Sequence, residues 1–232
     1  EKGYTYSFDM LGEAARTHAD AERYFKAYTD AVEAVGRDPA AGHSVSVKLS
    51  ALHPRYEVAR WDECVPALTD MLEQLAVRAA ERDIALTVDA EESERLEMSL
   101  DIIGSVARSR RLNGWDGFGM AVQAYGKRAR PVVAWANELG RPMNVRLVKG
   151  SHIVVPRLYE GDHAYILQNT DRRVIFAIPY EHRFTLIGTT DVDHDGPPDR
   201  AVCTPEEVDY LCRFVSGYFK KPVTADDVVF TA

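Results

Sequence analysis

At 232 residues the chain has room for one large domain or two small ones, and a fold of that size buries most of its surface. Apolar residues make up 46% and charged residues 28%, ordinary for a soluble globular protein, and the net charge of −8 is spread without any basic block. That balance argues against nucleic acid and anionic membranes as main partners. The cysteines, Cys64, Cys203 and Cys212, are odd in number and form no CxxC pair, which fits a reducing, cytoplasmic setting without disulfides. No apolar run reaches the roughly 18 residues that would span a bilayer. The start at Glu1-Lys2-Gly3, with no initiator Met and no signal-peptide pattern, suits a piece excised from something longer.

Along residues 1–150 helix signals alternate with short apolar strands. Phe25, Tyr28, Val32 and Val35 recur at helical spacing, and Gly36 follows as a C-cap. The run SVSVKLS (Ser44 to Ser50) predicts a strand, and Val65, Leu68, Leu72 and Leu75 give the stripe of a second helix. IALTVDA (Ile84 to Ala90) predicts the next strand, followed by a helix carrying Leu96, Leu100, Ile103 and Ala107. GFGMAVQAY (Gly117 to Tyr125) is the third strand, and a helix with Pro131 near its first turn places Val132, Trp135 and Leu139 on one face. MNVRLVKG (Met143 to Gly150) is the fourth.

This alternation implies about four parallel βα units, in a partial (βα) barrel or an open α/β sheet, with sites at the carboxyl ends of the strands. Each predicted strand carries a polar group at that end: Lys48, then Asp89, then Gln123, then Arg146 and Lys149. Singly, each has a local explanation, since Asp89 can cap the following helix and Lys48 can be a surface charge. Four in succession on one rim point to a binding site.

After Gly150 the pattern changes, so residues 151–232 read as a second domain. Ala164 to Val192 contains three β-rich runs separated by the turn-like clusters NTDRR and PYEHR, an antiparallel meander. TPEEVDYLCRFVSGYF then opens a helix with Thr204 as N-cap, Pro205 at the first position and Glu207 closing a capping box. Val208, Leu211, Val215 and Phe219 form its stripe. No GxGxxG joins a strand to a helix, and no GxxxxGK[ST] occurs. DVDHDG (Asp191 to Gly196) matches only the first half of a calcium loop, because Val202 stands where a bidentate Glu is needed. The histidines show no HExxH and no close pair at ligand spacing, so His152 and His182 read as structural by default.

The stretches GYTYSFDMLGEAA, VKLSALHPRY, VDAEESERLE, GFGMAVQAYGKR and VRLVKG, in this order, resemble the proline dehydrogenase barrel of the proline utilisation A flavoproteins over about residues 3–150. The resemblance implies an FAD-dependent (βα)₈ barrel that oxidises L-proline to Δ1-pyrroline-5-carboxylate, with quinone as electron acceptor. It implies that Lys48 pairs with the proline carboxylate, that Asp9 lies close to the substrate, that Glu13 is a gating acid and that Leu147 lines the pocket. Asp89 and Ala90 would sit near the flavin ring, Gln123 on its pyrimidine edge, Arg146 near N5 and Lys149 at the cofactor's polar tail. Donors and cations around the ring suit the chemistry, because hydride transfer from proline C5 builds negative charge on the N1–O2 side of the flavin.

The stretch GSHIVVPRLYEGDHAYILQNTDRRVIFAIPYEHRFTLIGTTDV, with the helix after it, resembles the substrate-side sheet of FAD-dependent glycerol-3-phosphate dehydrogenase over about residues 145–231. It implies glycerol 3-phosphate as an alternative substrate and His152, Arg157, Thr189 and Thr190 as residues beside flavin and substrate. The parent families imply peripheral membrane contact and no spanning segment. VRLVKG fits both families, so the chain reads as a seam: a recombinant or designed chimera, or a natural fusion. Half a barrel leaves two open strand edges, and pairing of the meander with the fourth strand, giving one mixed sheet, is the expected cover for one of them. A folded module without catalysis is the remaining alternative.

Overall fold

The computed structural model describes residues 5–10, 12, 14–142, 146–168, 173–197 and 200–232. The chain divides into two compact units, residues 1–143 and 144–232.

The first unit is a four-stranded sheet in the order β1 (Ser7–Asp9), β2 (Ser44–Val47), β3 (Ala85–Val88), β4 (Phe118–Met120), all parallel. The connecting helices are α1 (His18–Val35), α3 (Trp61–Glu81) and α4 (Leu96–Ala107), while α5 (Ala129–Glu138) follows β4. A single turn, α2 (Leu49–Leu52), begins directly after Lys48. Thr17 caps α1 in a reciprocal box with Asp20, so the helix starts where its apolar stripe starts. Tyr28 and Val32 of α1, Leu68, Leu72 and Leu75 of α3, and Met98, Ile102 and Val106 of α4 are buried against Val45, Val47, Leu86 and Val88. Burying a side chain of this size contributes about 1.5–3 kcal/mol, so this stripe-on-sheet contact holds the unit together. By strand alternation the opposite face carries Ser7, Asp9, Ser44, Ser46, Thr87 and Gly119, small or polar residues, of which Ser46 is buried.

The α/β class, with a four-stranded parallel sheet followed by an antiparallel sheet and helix, is the expected one, but the strands are not all the expected ones. The first parallel strand is Ser7–Asp9, which the sequence pattern does not announce. The run predicted as the fourth forms instead β5 (Val148–Lys149), paired antiparallel with β10 (Val192–Asp193). Among the described residues the meander pairs within its own sheet except at its end, where Val192 meets Lys149 of the predicted fourth strand. In α4 the predicted Ile103 and Ala107 are buried, joined by Met98, Ile102 and Val106 in place of Leu96 and Leu100.

The second unit's main sheet runs β11 (Phe230–Thr231), β6 (His152–Pro156), β9 (Phe184–Gly188), β8 (Val174–Tyr180), β7 (Tyr165–Gln168), all antiparallel neighbours. Its helix α6 (Pro205–Ser216) starts with the predicted Thr204–Glu207 box. Leu211, Phe214 and Val215 pack on Ile153, Val155, Ile175, Ala177 and Ile187, one face of the sheet. On the other face Phe176, Ile178 and Tyr180 of β8 are exposed. No helix among the described residues is long and apolar enough to cross a membrane.

Candidate functional site

Parallel, in-register pairing aligns the strand ends of the first sheet. Asp9 pairs with Ser46, and Ser46 with Thr87, so Asp9, Lys48 and Asp89 reach the same rim on the polar face. The Lys48 ammonium lies 2.6 Å from Asp9 and 2.6 Å from Asp89, with its side chain 18% exposed. Burial works to lower the Lys48 pKa, but the hydrogen bonds and charges of Asp89 and Asp9 outweigh it and raise it, so the group stays cationic. Ser46 donates its hydroxyl to Asp89 as well.

Beneath this triad the Tyr28 hydroxyl accepts the Lys48 main-chain N–H at 3.1 Å, fixing the turn from β2 into α2. Burial pushes the Tyr28 phenol up to about 12. Glu91 accepts the Ser50 N–H at 3.0 Å and the Ser50 hydroxyl, and the Ser50 hydroxyl accepts the Ala14 N–H at 3.2 Å. Sequence reasoning missed Tyr28, Glu91, Ser46 and Ser50. For Ser46 the alternation Ser44-x-Ser46-x-Lys48 is the signal, since it puts these polar residues on one face of the strand; Tyr28, Glu91 and Ser50 have no such local signal.

Next to the triad, beyond the end of β4, is a cleft of ≈ 220 Å³ lined by Asp89, Ala90, Met120, Gln123 and Val132 among others. Gln123 is exposed, and its amide donates to the Glu91 carbonyl over a long 3.3 Å, which leaves its hydrogen-bonding capacity open. Glu13 lies outside the described residues.

The remaining predicted site residues belong to the second unit. Arg146 pairs with Asp193 at 2.6 Å with both side chains exposed. That hydrogen bond, then the Asp193 charge, raises the Arg146 pKa. The Leu147 carbonyl accepts the His194 N–H at 2.9 Å. Lys149 is committed to a buried network: its ammonium donates to Glu207 at 2.5 Å and to the Val202 carbonyl at 2.7 Å. Thr190 donates to Glu207 at 2.7 Å and accepts the Ser151 N–H at 2.9 Å. The Thr189 hydroxyl donates to the Thr190 carbonyl at 2.8 Å. Arg157 donates to the carbonyls of Tyr159, Gly161 and His182, which pins the loop after β6. His152 sits half-buried across from Gly188, and burial lowers its pKa, so the ring is neutral at pH 7.

A Cβ on Gly188 would run into the His152 ring. Gly188→Ala is therefore expected to cost about 1–3 kcal/mol through forced repacking, read as a lower urea midpoint. An unchanged midpoint would mean the ring moves freely and is not held by the strand pair.

Parallel βα units with their polar residues gathered at the strand carboxyl ends define the class: a portion of a (βα) barrel with its site on the usual rim. The proline dehydrogenase family model matches residues 1–155, and the chain belongs to that family. Bifunctional protein PutA of Escherichia coli K12 is 44% identical over 161 residues, 66% of this chain and 12% of the relative. A crystal structure of proline utilization A from Bradyrhizobium japonicum superposes with a TM-score of 0.57 at 49% identity, covering 58% of this chain and 14% of that one. The C-terminal segment resembles glycerol-3-phosphate dehydrogenase: the Pseudomonas aeruginosa enzyme is 53% identical over 88 residues, 38% of this chain and 17% of the relative. The chain thus spans less than a fifth of the length of each of these relatives.

The family is flavin-dependent. The residues beside the triad fit the ring of such a cofactor, because the cleft combines the apolar walls of Met120 and Val132 with an open amide at Gln123. The cleft is below the roughly 300–1,000 Å³ of ordinary ligand pockets, so it suits the edge of a ring system and not a whole dinucleotide.

Proposed function

We propose that the first unit provides the strand-end part of an FAD-dependent proline dehydrogenase site, with Lys48 as the anchor for the carboxylate of L-proline. One observation carries this reading: a partly buried ammonium fixed by two carboxylates at 2.6 Å each, on the rim where parallel βα folds place their chemistry. An ammonium has three donors; two are spent on Asp9 and Asp89, and the third remains for a ligand oxygen. The flanking acids position that donor and keep it charged, and Asp9, the more exposed of the two, would face the substrate's ring nitrogen. Such anchoring contributes through orientation of the reacting carbon and not through bond-making.

Asp89, Ala90 and Gln123 would hold the flavin's ring edge. A bound FAD supplies hydride acceptance and onward transfer of electrons to quinone, the chemistry that converts L-proline to Δ1-pyrroline-5-carboxylate. Arg146, in the second unit, pairs with Asp193 and is not assigned to this set. Lys149 and Thr190 are held by Glu207 and are left out of it.

The test is a flavin absorption spectrum of the chain purified in the presence of FAD, before and after L-proline. A retained yellow band that bleaches on adding proline is the expected result. A protein that carries no flavin at any FAD concentration refutes the reading and leaves a folded module without catalysis. Bleaching by glycerol 3-phosphate and not by proline would transfer the site to the second unit, where His152 is the candidate with an uncommitted ring.

A further inference from the structure

The first sheet ends on two open edges. Among the described residues β1 pairs only with β2, and β4 only with β3, because the run that should follow β4 is taken by β10. In a parallel ladder, residues whose main-chain groups face the neighbouring strand alternate with residues whose groups face away. The Ser44 N–H donates to the Tyr6 carbonyl and the Leu86 N–H to the Gly117 carbonyl. The outward-facing amides and carbonyls are therefore those of Ser7 and Asp9 on β1, and of Phe118 and Met120 on β4.

The side chains are incomplete in a matching way. Phe8 pairs with the core residue Val45, so Phe8 and Tyr6 lie on the face that helices cover elsewhere in the sheet. They are nevertheless 45% and 50% exposed. At the other edge, α5 buries only Val132 and leaves Val133 40% exposed. A crossover helix covers the strand before it and the strand after it, and α5 has only the first of these. One edge has aromatic side chains without a helix, and the other has a helix without a strand.

We propose that a second copy of this chain completes both edges. β4 of one copy accepts β1 of the other in parallel, and the same contact repeats about a two-fold axis along the strands. Two four-stranded halves give the eight strands at which a parallel βα sheet closes into a barrel. α5 then covers the partner copy's Tyr6 and Phe8. The two edges lie at opposite sides of one sheet, so they cannot pair with each other within a copy. Because all strands stay parallel, the two Lys48 clusters stand at the same mouth. Each copy carries a net charge of −8, so the copies repel and added salt strengthens the association. This assembly is independent of the proposed activity.

Light scattering on the full chain at rising concentration, in low and high salt, tests it. The expected species has twice the 26.0 kDa chain mass and is more populated in high salt. Val133→Lys and Phe8→Glu alter exposed positions on the two sides of one contact, and each is expected to weaken the dimer about tenfold or more. Far-UV circular dichroism and the thermal midpoint at monomer concentration stay unchanged. The lysine reduces the net charge, so its effect cannot come from added repulsion. Hydrogen exchange on the unaltered chain gives a second readout: the Ser7, Phe118 and Met120 amides slow as concentration rises. A monomer at every concentration overturns the proposal. So does a dimer that both substitutions leave intact, which places association elsewhere, such as on the outer face of β8; exchange at those amides that ignores concentration overturns it too.

Discussion

Glu207→Gln is expected to destabilise the second unit by about 3–5 kcal/mol, because it leaves the buried Lys149 ammonium without a counter-charge. Glu207 is 7% exposed and receives Lys149, the Thr190 hydroxyl and, at 2.9 Å, the Thr204 N–H. Glutamine preserves the shape but turns one acceptor oxygen into a donor, so the loss combines the missing charge with a disturbed bond to Thr190 or Thr204. The pH dependence follows from the direction of the shift. Burial acts to raise the Glu207 pKa, but the bonds from Lys149, Thr204, Thr190 and Ser151 prevail and pull it down to about 2, against an ordinary value of 4.5. With a depressed folded-state pKa, the stabilisation is fully present above the unfolded value and disappears as pH falls from 4.5 towards about 2. Urea unfolding across that range shows a steeper acid loss in the parent protein than in the variant. Equal stability at pH 7, or an unaltered acid limb, would show that the network contributes nothing as an ion pair.

Lys48→Met is expected to reduce proline-dependent flavin bleaching by about 30-fold or more, the equivalent of the roughly 2–5 kcal/mol lost when one partner of a buried, hydrogen-bonded charge pair is removed. It has a second consequence that needs no cofactor. Asp9 and Asp89 both lie 2.6 Å from the ammonium in the parent, so its removal leaves two carboxylates close together. Their repulsion is then uncompensated, so the variant is less stable than the parent at pH 7. Urea unfolding at pH 7, alongside the bleaching assay, separates the roles. Unchanged bleaching removes Lys48 from substrate binding, whereas equal stability removes the electrostatic coupling.

The helices and the central strands of the first unit were legible because apolar periodicity is a local signal. Val65, Leu68, Leu72 and Leu75 mark α3, and all but Val65 are fully buried. β1 was not legible, since three residues are too few to show a period and Ser7–Asp9 becomes a strand only by pairing with β2. The run VRLVK reads as a strand in any context. Its antiparallel partner, Val192–Asp193, is about 40 residues away in sequence and leaves no trace in the local pattern. The same distinction applies to side chains. Glu207 was read as a helix cap, which it is, but its pairing with Lys149 is long-range and decides its energetics. Tyr28 was read as part of a helix stripe, and only the packing of α1 under β2 gives its hydroxyl the Lys48 amide. The triad came from strand ends for Lys48 and Asp89, and from family resemblance alone for Asp9.

The order in which the strands pair also sets how each unit comes to order. In the first, every strand meets its predecessor in the sequence, about 30 to 40 residues back, so structure grows one βα step at a time and no step brings the two termini together. In the second, Phe230 and Thr231 return to lie against Val154 and Ile153, and the Ala232 main chain clasps His152 in both directions. That clasp links segments nearly the whole unit apart, at the greater loop-closure cost such spacing imposes. During synthesis the first unit assembles strand by strand as it emerges, whereas the second waits for Phe230 and Thr231.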